Sequence, residues 1–175
     1  MNRNKVIFLD FDGVLNSEKY FYYLKEHGKQ TEDVFGSLFD PEAVSALRKI
    51  VEATGAMIVI SSSWRFAGLE RMRLMWEKRG LAGDVIDITS LHTADELIEA
   101  HIGDIDFDDF IFNLGSPRAY EINDWLASHP ETINYVILDD ERMNESLKQH
   151  FVNINPHFGL TDNDAEIAIN ILNSK

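Results

Sequence analysis

The stretch "KVIFLDFDGVLNS", residues 5–17, sets the interpretation of the whole chain. A largely apolar run leads directly into Asp10 and Asp12, which are followed by Gly13. A continuous apolar run is typical of a parallel strand that is buried on both faces. Ligands of open α/β sheets bind beyond the carboxyl ends of such strands. The sequence therefore predicts a buried strand over residues 6–10 that ends at an acidic site.

The two acids need a physical explanation. Residues two apart on an extended segment point to the same side, so the carboxylates of Asp10 and Asp12 can converge. Two unit charges 4 Å apart repel by about 4 kcal/mol at an effective dielectric near 20. A cation, a proton or separation into solvent has to offset this repulsion. An acidic loop is the simpler interpretation, because a chain with a net charge of −14 contains many acids.

Two further apolar runs also end on polar residues. "AMIVIS" ends at Ser61, and "YVILDD" ends at Asp139 and Asp140. A small hydroxyl beside the free amides of a helix start can bind a phosphate, although a serine N-cap is the alternative for Ser61. Three strands that end in Asp-x-Asp, Ser and Asp-Asp, in this order, favour one shared site over coincidence.

Two arginines are further candidates. Arg118 falls in the first turn of the helix that follows Ser116 and Pro117, where a cation opposes the helix dipole. A local rule broken without local gain indicates a functional site, and an exposed arginine paired with Glu121 is the alternative. Arg65 lies just after the serine segment. Contact with a substrate and an ion pair with a neighbouring acid are both open for it.

Short apolar runs alternate with helical segments along the chain, which predicts an α/β fold with a mainly parallel sheet. The predicted strands cover residues 6–10, 56–61, 85–88, 135–139 and 151–154. Helices are predicted from the cap Asp40 to Gly55, over residues 65–80, from a capping box at Thr93–Glu96 to about His101, from Ser116 to His129, and from Thr161 onward. Residues 103–115 are not assigned to an element.

Length and composition exclude several classes of protein. The 175 residues predict one domain, residues 1–175. The absence of cysteine excludes disulfides and thiolate metal sites, and it suits a cytoplasmic protein. No apolar run approaches the roughly 20 residues of a membrane helix, and the N-terminus is not a signal peptide. The acidic net charge argues against nucleic-acid binding by charge alone.

Taken together, the segments "DFDGVLN", "VISSSWR", "RAYEINDWL" and "VILDDE" resemble the haloacid dehalogenase (HAD) superfamily of phosphohydrolases. They look most similar to the small HAD domains related to RNA-repair proteins. The resemblance implies a Rossmann-like core, a mainly parallel sheet sandwiched by helices, and a minimal cap. Residues 16–40 would form this flap or small cap. We interpret the aromatic run at 20–24 within it as helix packing, with contact to a substrate base as the alternative.

The resemblance also implies a role for each site residue. Asp10 would be the nucleophile that forms an aspartyl-phosphate, and Asp12 would protonate the leaving oxygen and then take a proton from water. Ser61 would hydrogen-bond the transferring phosphoryl group, and Arg118 would neutralise charge on it. Ser62 and Arg65 beside Ser61 are further candidates for substrate binding. Mg²⁺ would be held by the Asp10 carboxylate, the Asp12 main-chain carbonyl, and an acid from Asp139 and Asp140.

The expected activity is therefore that of a Mg²⁺-dependent phosphatase. Its expected substrate is a small phosphomonoester or a nucleotide; a nucleic-acid end is also possible, although the net charge does not support it. One alternative is a signalling receiver domain, but the strand-end residues occur in the wrong order for it. Another is an interaction or regulatory protein that keeps the fold without turnover, with the acidic segment Asp104–Asp109 as its partner surface.

Overall fold

The computed structural model describes residues 4–90, 117–132 and 134–174. Its strands are β1 (Lys5–Leu9), β2 (Glu32–Asp33), β3 (Gly36–Ser37), β4 (Met57–Ile60), β5 (Val85–Ile88), β6 (Asn134–Asp139) and β7 (Phe151–Asn153). Five of them form one parallel sheet in the order β5-β4-β1-β6-β7. The predicted α/β fold and its parallel sheet are confirmed, and each predicted strand lies within one residue of its observed bounds.

The described helices surround this sheet. They are α1 (Glu18–Glu26), α2 (Pro41–Thr54), α3 (Leu69–Lys78), α4 (Pro117–Ser128) and α5 (Asp162–Asn173), with 3₁₀ helices at Ser63–Ala67 and Glu145–His150. α2 begins as predicted, because the Asp40 side chain accepts a hydrogen bond from the Glu42 amide at 2.9 Å. It ends at Gly55, whose φ of 67° places it in the left-handed region that glycine tolerates.

The single helix predicted over residues 65–80 is wrong. The segment is divided at Gly68, whose φ of 86° and ψ of 158° interrupt the helical backbone. The 3₁₀ helix on one side carries Trp64 and Arg65, and α3 on the other side buries Met72 and Met75 in the core. The glycine thus lets the two parts of the segment face different surroundings.

Alternate residues of β1 enter two different cores. Ile7 and Leu9 pack with residues of α2, α3 and α5 on one face of the sheet. Val6 and Phe8 pack with α4 on the other face. Because both faces of β1 are covered, its residues are apolar without alternation, as expected for a central parallel strand.

The strand order places the acidic end of β1 at a special position. After β1 the chain builds β4 and β5 on one side, and it then returns to build β6 and β7 on the other side. The crevice beyond the carboxyl ends at such a reversal is where open α/β sheets bind ligands. The helices in the described part of the chain are all too short or too polar to cross a membrane.

Residues 16–40 contain α1 and the antiparallel pair of β2 and β3, in the place predicted for a flap. We call this segment the flap segment. The helix predicted from Thr93 to His101, the unassigned residues 103–115 and the acidic surface at Asp104–Asp109 lie outside the described residues.

Candidate active site

An acid cluster lies at the carboxyl end of β1 and β6. It consists of Asp10, Asp139 and Asp140, each of which offers a carboxylate oxygen within 4.8 Å of the others. Asp10 is 3% exposed and Asp139 is fully buried. The two strands pair in parallel with Leu9 opposite Leu138, so the residues after these positions emerge side by side. The sheet therefore brings together acids from the segments "DFDGVLN" and "VILDDE".

Arg118 connects two members of the acid cluster. Its Nη1 atom lies 2.5 Å from Oδ2 of Asp10 and 3.0 Å from Oδ2 of Asp139. The arginine side chain is only 12% exposed. The alternative of an exposed arginine paired with Glu121 is therefore wrong. These two carboxylates explain why a cation stands in the first turn of α4, where the helix dipole disfavours it.

The acids of the cluster are raised in pKa. Burial raises the pKa of Asp139 to about 7, and the charge of Asp10 adds to this effect against the opposing charge of Arg118. Burial also raises the pKa of Asp10 above its usual range, although Arg118 and hydrogen bonds from Ser62 and Phe11 oppose it. The pKa of Asp140 is raised by burial and by Asp10. Burial is thus the main cause of all three raised pKa values, and the charge of Arg118 does not cancel it.

Arg118 itself stays charged in this environment. Burial acts to lower the pKa of its guanidinium, but the nearby charges of Asp139 and Asp10 outweigh that effect and raise it. A permanent positive charge beside the Asp10 carboxylate is suited to holding an anion there.

Asp12 lies in different surroundings from Asp10. Its side chain is exposed and is not a member of the acid cluster. Its Oδ1 accepts a hydrogen bond from Asn16 Nδ2 at 2.7 Å, and its Oδ2 accepts one from the indole of Trp64 at 3.0 Å. β1 ends at Leu9, so the alternation of an extended strand no longer governs where Asp12 points. The metal-binding role implied for its carbonyl stays a prediction.

The turn after Asp12 requires glycine for two reasons. Gly13 has a φ of 71°, a conformation that other residues rarely adopt. A Cβ atom at this position would stand 2.5 Å from Oδ2 of Asp140. The glycine therefore allows the Asp140 carboxylate to lie directly against the first acidic loop.

The serine segment, residues 61–63, follows β4, and its first two members, Ser61 and Ser62, are completely buried. Ser62 donates a hydrogen bond to the Asp10 carboxylate, and its Oγ is also the N-cap acceptor for the Trp64 amide. The Ser61 amide bonds the Leu9 carbonyl at 3.0 Å, as part of the sheet. Within the described residues, the Ser61 hydroxyl has no hydrogen-bond partner. The N-cap role considered for Ser61 thus belongs to Ser62, and the Ser61 hydroxyl remains available for a ligand.

Arg65 is buried and forms an ion pair with Glu121, the second of the two arrangements left open by the sequence. Its Nη1 donates to the Ser61 carbonyl at 3.0 Å and to the Ser62 carbonyl at 2.7 Å. Its Nη2 also donates to the Ser90 carbonyl at 3.3 Å. A role of Arg65 in substrate binding stays a prediction.

Three residues of this site were not predicted from the sequence. Trp64 and Asn16 carry no predicted role in the site, although they lie within the segments "VISSSWR" and "DFDGVLN". Glu121 was considered only as a partner of Arg118, but it pairs with Arg65. Helical periodicity contains a signal for Glu121. This acid lies one helical turn after Arg118 and next to Ile122, and both Glu121 and Ile122 are buried.

The geometry can now be compared with known proteins. The family model described as "HAD domain in Swiss Army Knife RNA repair proteins" matches residues 6–165. The chain belongs to this HAD family. The resemblance inferred from the motifs is confirmed, and so is the Rossmann-like HAD core. Membership of the HAD family indicates a phosphohydrolase-type function, and the acid cluster is consistent with it. No curated protein and no solved structure matches the chain.

Proposed function

We propose that this HAD domain is a Mg²⁺-dependent phosphomonoesterase that works through an aspartyl-phosphate on Asp10. The observation that supports it most is the charge of the acid cluster. The carboxylates of Asp10, Asp139 and Asp140 approach one another, but one guanidinium contacts only the first two, so two of the three negative charges are uncompensated when all three acids are ionised. The pKa values of all three acids are raised, chiefly by burial, and the charge of Asp10 adds to the effect on Asp139 and Asp140. A divalent cation would offset the uncompensated charge.

The donor set fits magnesium. Mg²⁺ prefers carboxylate and carbonyl oxygens and retains some of its water ligands. In Asp139, Oδ2 contacts Arg118 and Oδ1 accepts the Glu141 amide at 2.9 Å. Asp140 is half-buried against Gly13 and does not contact Arg118 in this way. We therefore prefer Asp140 to Asp139 as a direct ligand and assign to Asp139 the role of holding Arg118. Asp10 is kept as the ligand that the family resemblance implies, although its oxygens also contact the Phe11 amide and Arg118. Bound there, Mg²⁺ would supply positive charge for the phosphoryl oxygens.

The remaining groups are arranged to receive a phosphoryl group beside Asp10. Arg118 and the Ser61 hydroxyl supply a charge and a hydrogen-bond donor for its oxygens, and both are preorganised by burial. The Asp10 carboxylate forms a bond to phosphorus while the bond to the leaving oxygen breaks. Water then attacks the same phosphorus, which releases phosphate and restores the carboxylate.

Asp12 is suited to move the protons of both steps. In the first step its proton goes to the leaving oxygen, and in the second the resulting carboxylate takes a proton from the attacking water. The hydrogen bonds from Asn16 and Trp64 hold this carboxyl group apart from the acid cluster. Asp10 and Asp12 thus have separate tasks because they occupy separate environments.

The proposed substrates are phosphomonoesters with a large leaving group. The flap segment is short, so it leaves room for a nucleotide or for a phosphorylated end of a nucleic acid. The matching family is named for RNA repair proteins, so phosphorylated RNA ends belong among the first substrates to test. The net charge of −14 disfavours tight binding of long nucleic acids by charge alone.

The test is phosphate release from p-nitrophenyl phosphate, nucleoside monophosphates, and RNA and DNA oligonucleotides with 5′- or 3′-phosphates. Each substrate is measured with Mg²⁺, with EDTA and with the Asp10→Asn variant. We expect release that depends on Mg²⁺ and that falls by about 10⁴-fold or more in the variant, as for the loss of other enzymatic nucleophiles.

Asp87→Asn is the matched control, because Asp87 is also a partly buried acid but bonds Trp125 instead of the cluster. Its activity should equal that of the unchanged protein. Release that survives in Asp10→Asn would exclude the aspartyl-phosphate mechanism. Mg²⁺ binding without release from any substrate would instead favour a regulatory HAD-fold protein.

A further inference from the structure

We propose that Arg65 and Glu121 form a positioning pair that aligns the serine segment with Arg118. This inference rests on the proposed function, because it concerns how two parts of the same phosphoryl site keep their mutual geometry. It assigns neither residue a contact with the substrate.

Arg65 determines the orientation of the serine segment. One guanidinium nitrogen binds the consecutive carbonyls of Ser61 and Ser62, at 3.0 and 2.7 Å. The carbonyls of the two residues are thereby held toward Arg65. With the main chain held in this way, the Ser62 side chain bonds Asp10, and the buried Ser61 hydroxyl is unpaired among the described residues.

Glu121 fixes Arg65 to the helix that carries the other phosphate-binding group. Glu121 and Arg118 lie one turn apart on α4, and the side chain of Glu121 is 3% exposed. Arg118 reaches the acids after β1 and β6, while Glu121 receives the arginine that follows β4. Ion pairs thus connect α4 to the ends of three strands. The helix supplies the cation of the pairs at β1 and β6 and the anion of the pair that follows β4. A shift of the helix would disturb both ends of the phosphoryl site together.

Burial of this ion pair costs free energy, so its presence calls for an explanation. Two buried charges lose their hydration, and such pairs are often no more stabilising than apolar residues of similar size. The side chain of Arg65 is 6% exposed and that of Glu121 is 3% exposed, so neither is screened by solvent as a surface pair would be. Stability alone therefore does not account for the pair, whereas alignment of Ser61 with Arg118 does.

Direct contact of Arg65 with the substrate is the competing explanation, and the contacts oppose it. Arg65 donates to three main-chain carbonyls and pairs with Glu121. Both terminal nitrogens are thus occupied, and only Nε, which is buried, has no hydrogen-bond partner among the described residues. The two explanations also predict different effects of removing the Glu121 charge. A substrate-binding Arg65 would become free to bind phosphate more tightly, whereas a positioning Arg65 would no longer hold the serine segment in place.

The experiment compares Glu121→Gln, Arg65→Lys and the double variant with Asp87→Asn. Asp87 accepts a hydrogen bond from Trp125 at 2.7 Å, so the control loosens the same helix two turns away from Arg118. Two quantities are measured: kcat and KM with p-nitrophenyl phosphate, and the affinity for inorganic phosphate in Mg²⁺ by calorimetry. Thermal unfolding confirms that each variant is folded, and Glu121→Gln alone suffices if Arg65→Lys does not fold.

We expect each single variant to lower kcat by about ten- to a hundredfold, as loss of supporting contacts does at other sites. Both should weaken phosphate binding. The double variant should lose no more than the worse single variant, because the two residues act as one unit. Asp87→Asn should keep kcat even if its unfolding temperature falls.

Three results would overturn the inference. These are independent losses that multiply in the double variant, a kcat in Glu121→Gln within about twofold of the unchanged protein, and tighter phosphate binding in Glu121→Gln, which would indicate direct contact by Arg65. If the unchanged protein binds phosphate without turnover, the proposed function fails and calorimetry alone decides the positioning role. If it binds no phosphate, the positioning role fails as well.

Discussion

Two arginines of this molecule each bind carboxylates that are distant in sequence, but they do so in opposite electrostatic settings. In the active site, Arg118 contacts the buried Asp10 and Asp139. At the flap segment, Arg79 binds both carboxylate oxygens of Asp33, at 2.8 and 3.0 Å. The Asp33 side chain is 30% exposed, whereas that of Asp139 is completely buried.

The pKa values of the two carboxylates move in opposite directions. The hydrogen bonds from Arg79 hold the pKa of Asp33 below its usual range. Burial raises the pKa of Asp139 to about 7 in spite of its arginine. One acid therefore favours the folded state when it is ionised, and the other opposes it.

The difference separates a structural ion pair from a functional one. Arg79 also donates to the carbonyls of Gly36 and Ser37 and stacks over Phe39, with its guanidinium 4.3 Å from the ring centre. Its contacts attach the flap segment to the core, and among the described residues only its Nη1 atom has no hydrogen-bond partner. The acid cluster, by contrast, retains charges that the fold does not compensate. We infer that such charges persist because a cation and a phosphate complete the site.

The largest effect is expected for Arg118→Met. Activity should fall by about 10²–10³-fold, since a preorganised positive charge for the phosphoryl group is lost. In EDTA the variant should also be destabilised by about 3 kcal/mol or more, because Asp10 and Asp139 lose their cation. Phosphate release and thermal unfolding measure the two effects. Arg118→Lys is the control, and it should retain part of both. Full activity in Arg118→Met would remove the arginine from the mechanism.

The second prediction concerns Asp139 in the metal-free protein. Its raised pKa means that its protonated form stabilises the fold below the ordinary pKa of 3.8 and that this contribution is lost as the pH rises through about 7. Relative to Asp139→Asn in EDTA, the unchanged protein should therefore lose on the order of 3 kcal/mol of stability between pH 5 and pH 8. Chemical denaturation of both proteins measures this difference.

Mg²⁺ provides the control for this pH dependence. A bound cation favours ionised carboxylates, so the stability difference between the two proteins should depend less on pH in its presence. A difference that is constant from pH 5 to pH 8 in EDTA would contradict the raised pKa.

Trp64→Phe should have a smaller effect, confined to the proton-transfer residue. Phenylalanine keeps a ring beside Phe11 but removes the indole donor of Asp12. We expect kcat to fall by about tenfold for alkyl phosphates, equivalent to roughly 1.4 kcal/mol, and by less for p-nitrophenyl phosphate. The nitrophenolate leaving group needs little protonation. An equal loss for both classes of substrate would show that Trp64 does not act through Asp12.

The smallest effect is expected at the flap segment. Asp33→Asn should lower stability by less than about 1 kcal/mol at pH 7, as is usual for partly exposed pairs. Because the pKa of Asp33 is lowered, its contribution is present above the ordinary value of 3.8 and disappears as the pH falls through the lowered value. Unfolding temperatures between pH 7 and pH 3 test this, with high salt as the control. A difference that grows on acidification would refute the assignment.

Much of the fold was predictable because its causes are local or periodic. The central residues of β1, β4 and β6 are buried on both faces of the sheet, so each strand contains a continuous apolar run that is recognisable in the sequence. Acidic residues occur at the strand ends, because charges within the sheet would lose their hydration. The cap of α2 at Asp40 and its end at Gly55 also depend on neighbouring residues alone.

The pairing of charges was decided by the tertiary structure alone. Arg118 and Arg65 each had several acids available along the chain, and only the strand order brings Asp139 to the first and Glu121 to the second. The same holds for Asp12, whose neighbour Trp64 is 52 residues away in sequence. A local pattern determines whether a residue is buried or capped, whereas an ion pair depends on which strand ends become neighbours. The sequence by itself therefore determined the strands and the acids at their ends, and the tertiary structure decided which charged side chains of the site pair with one another.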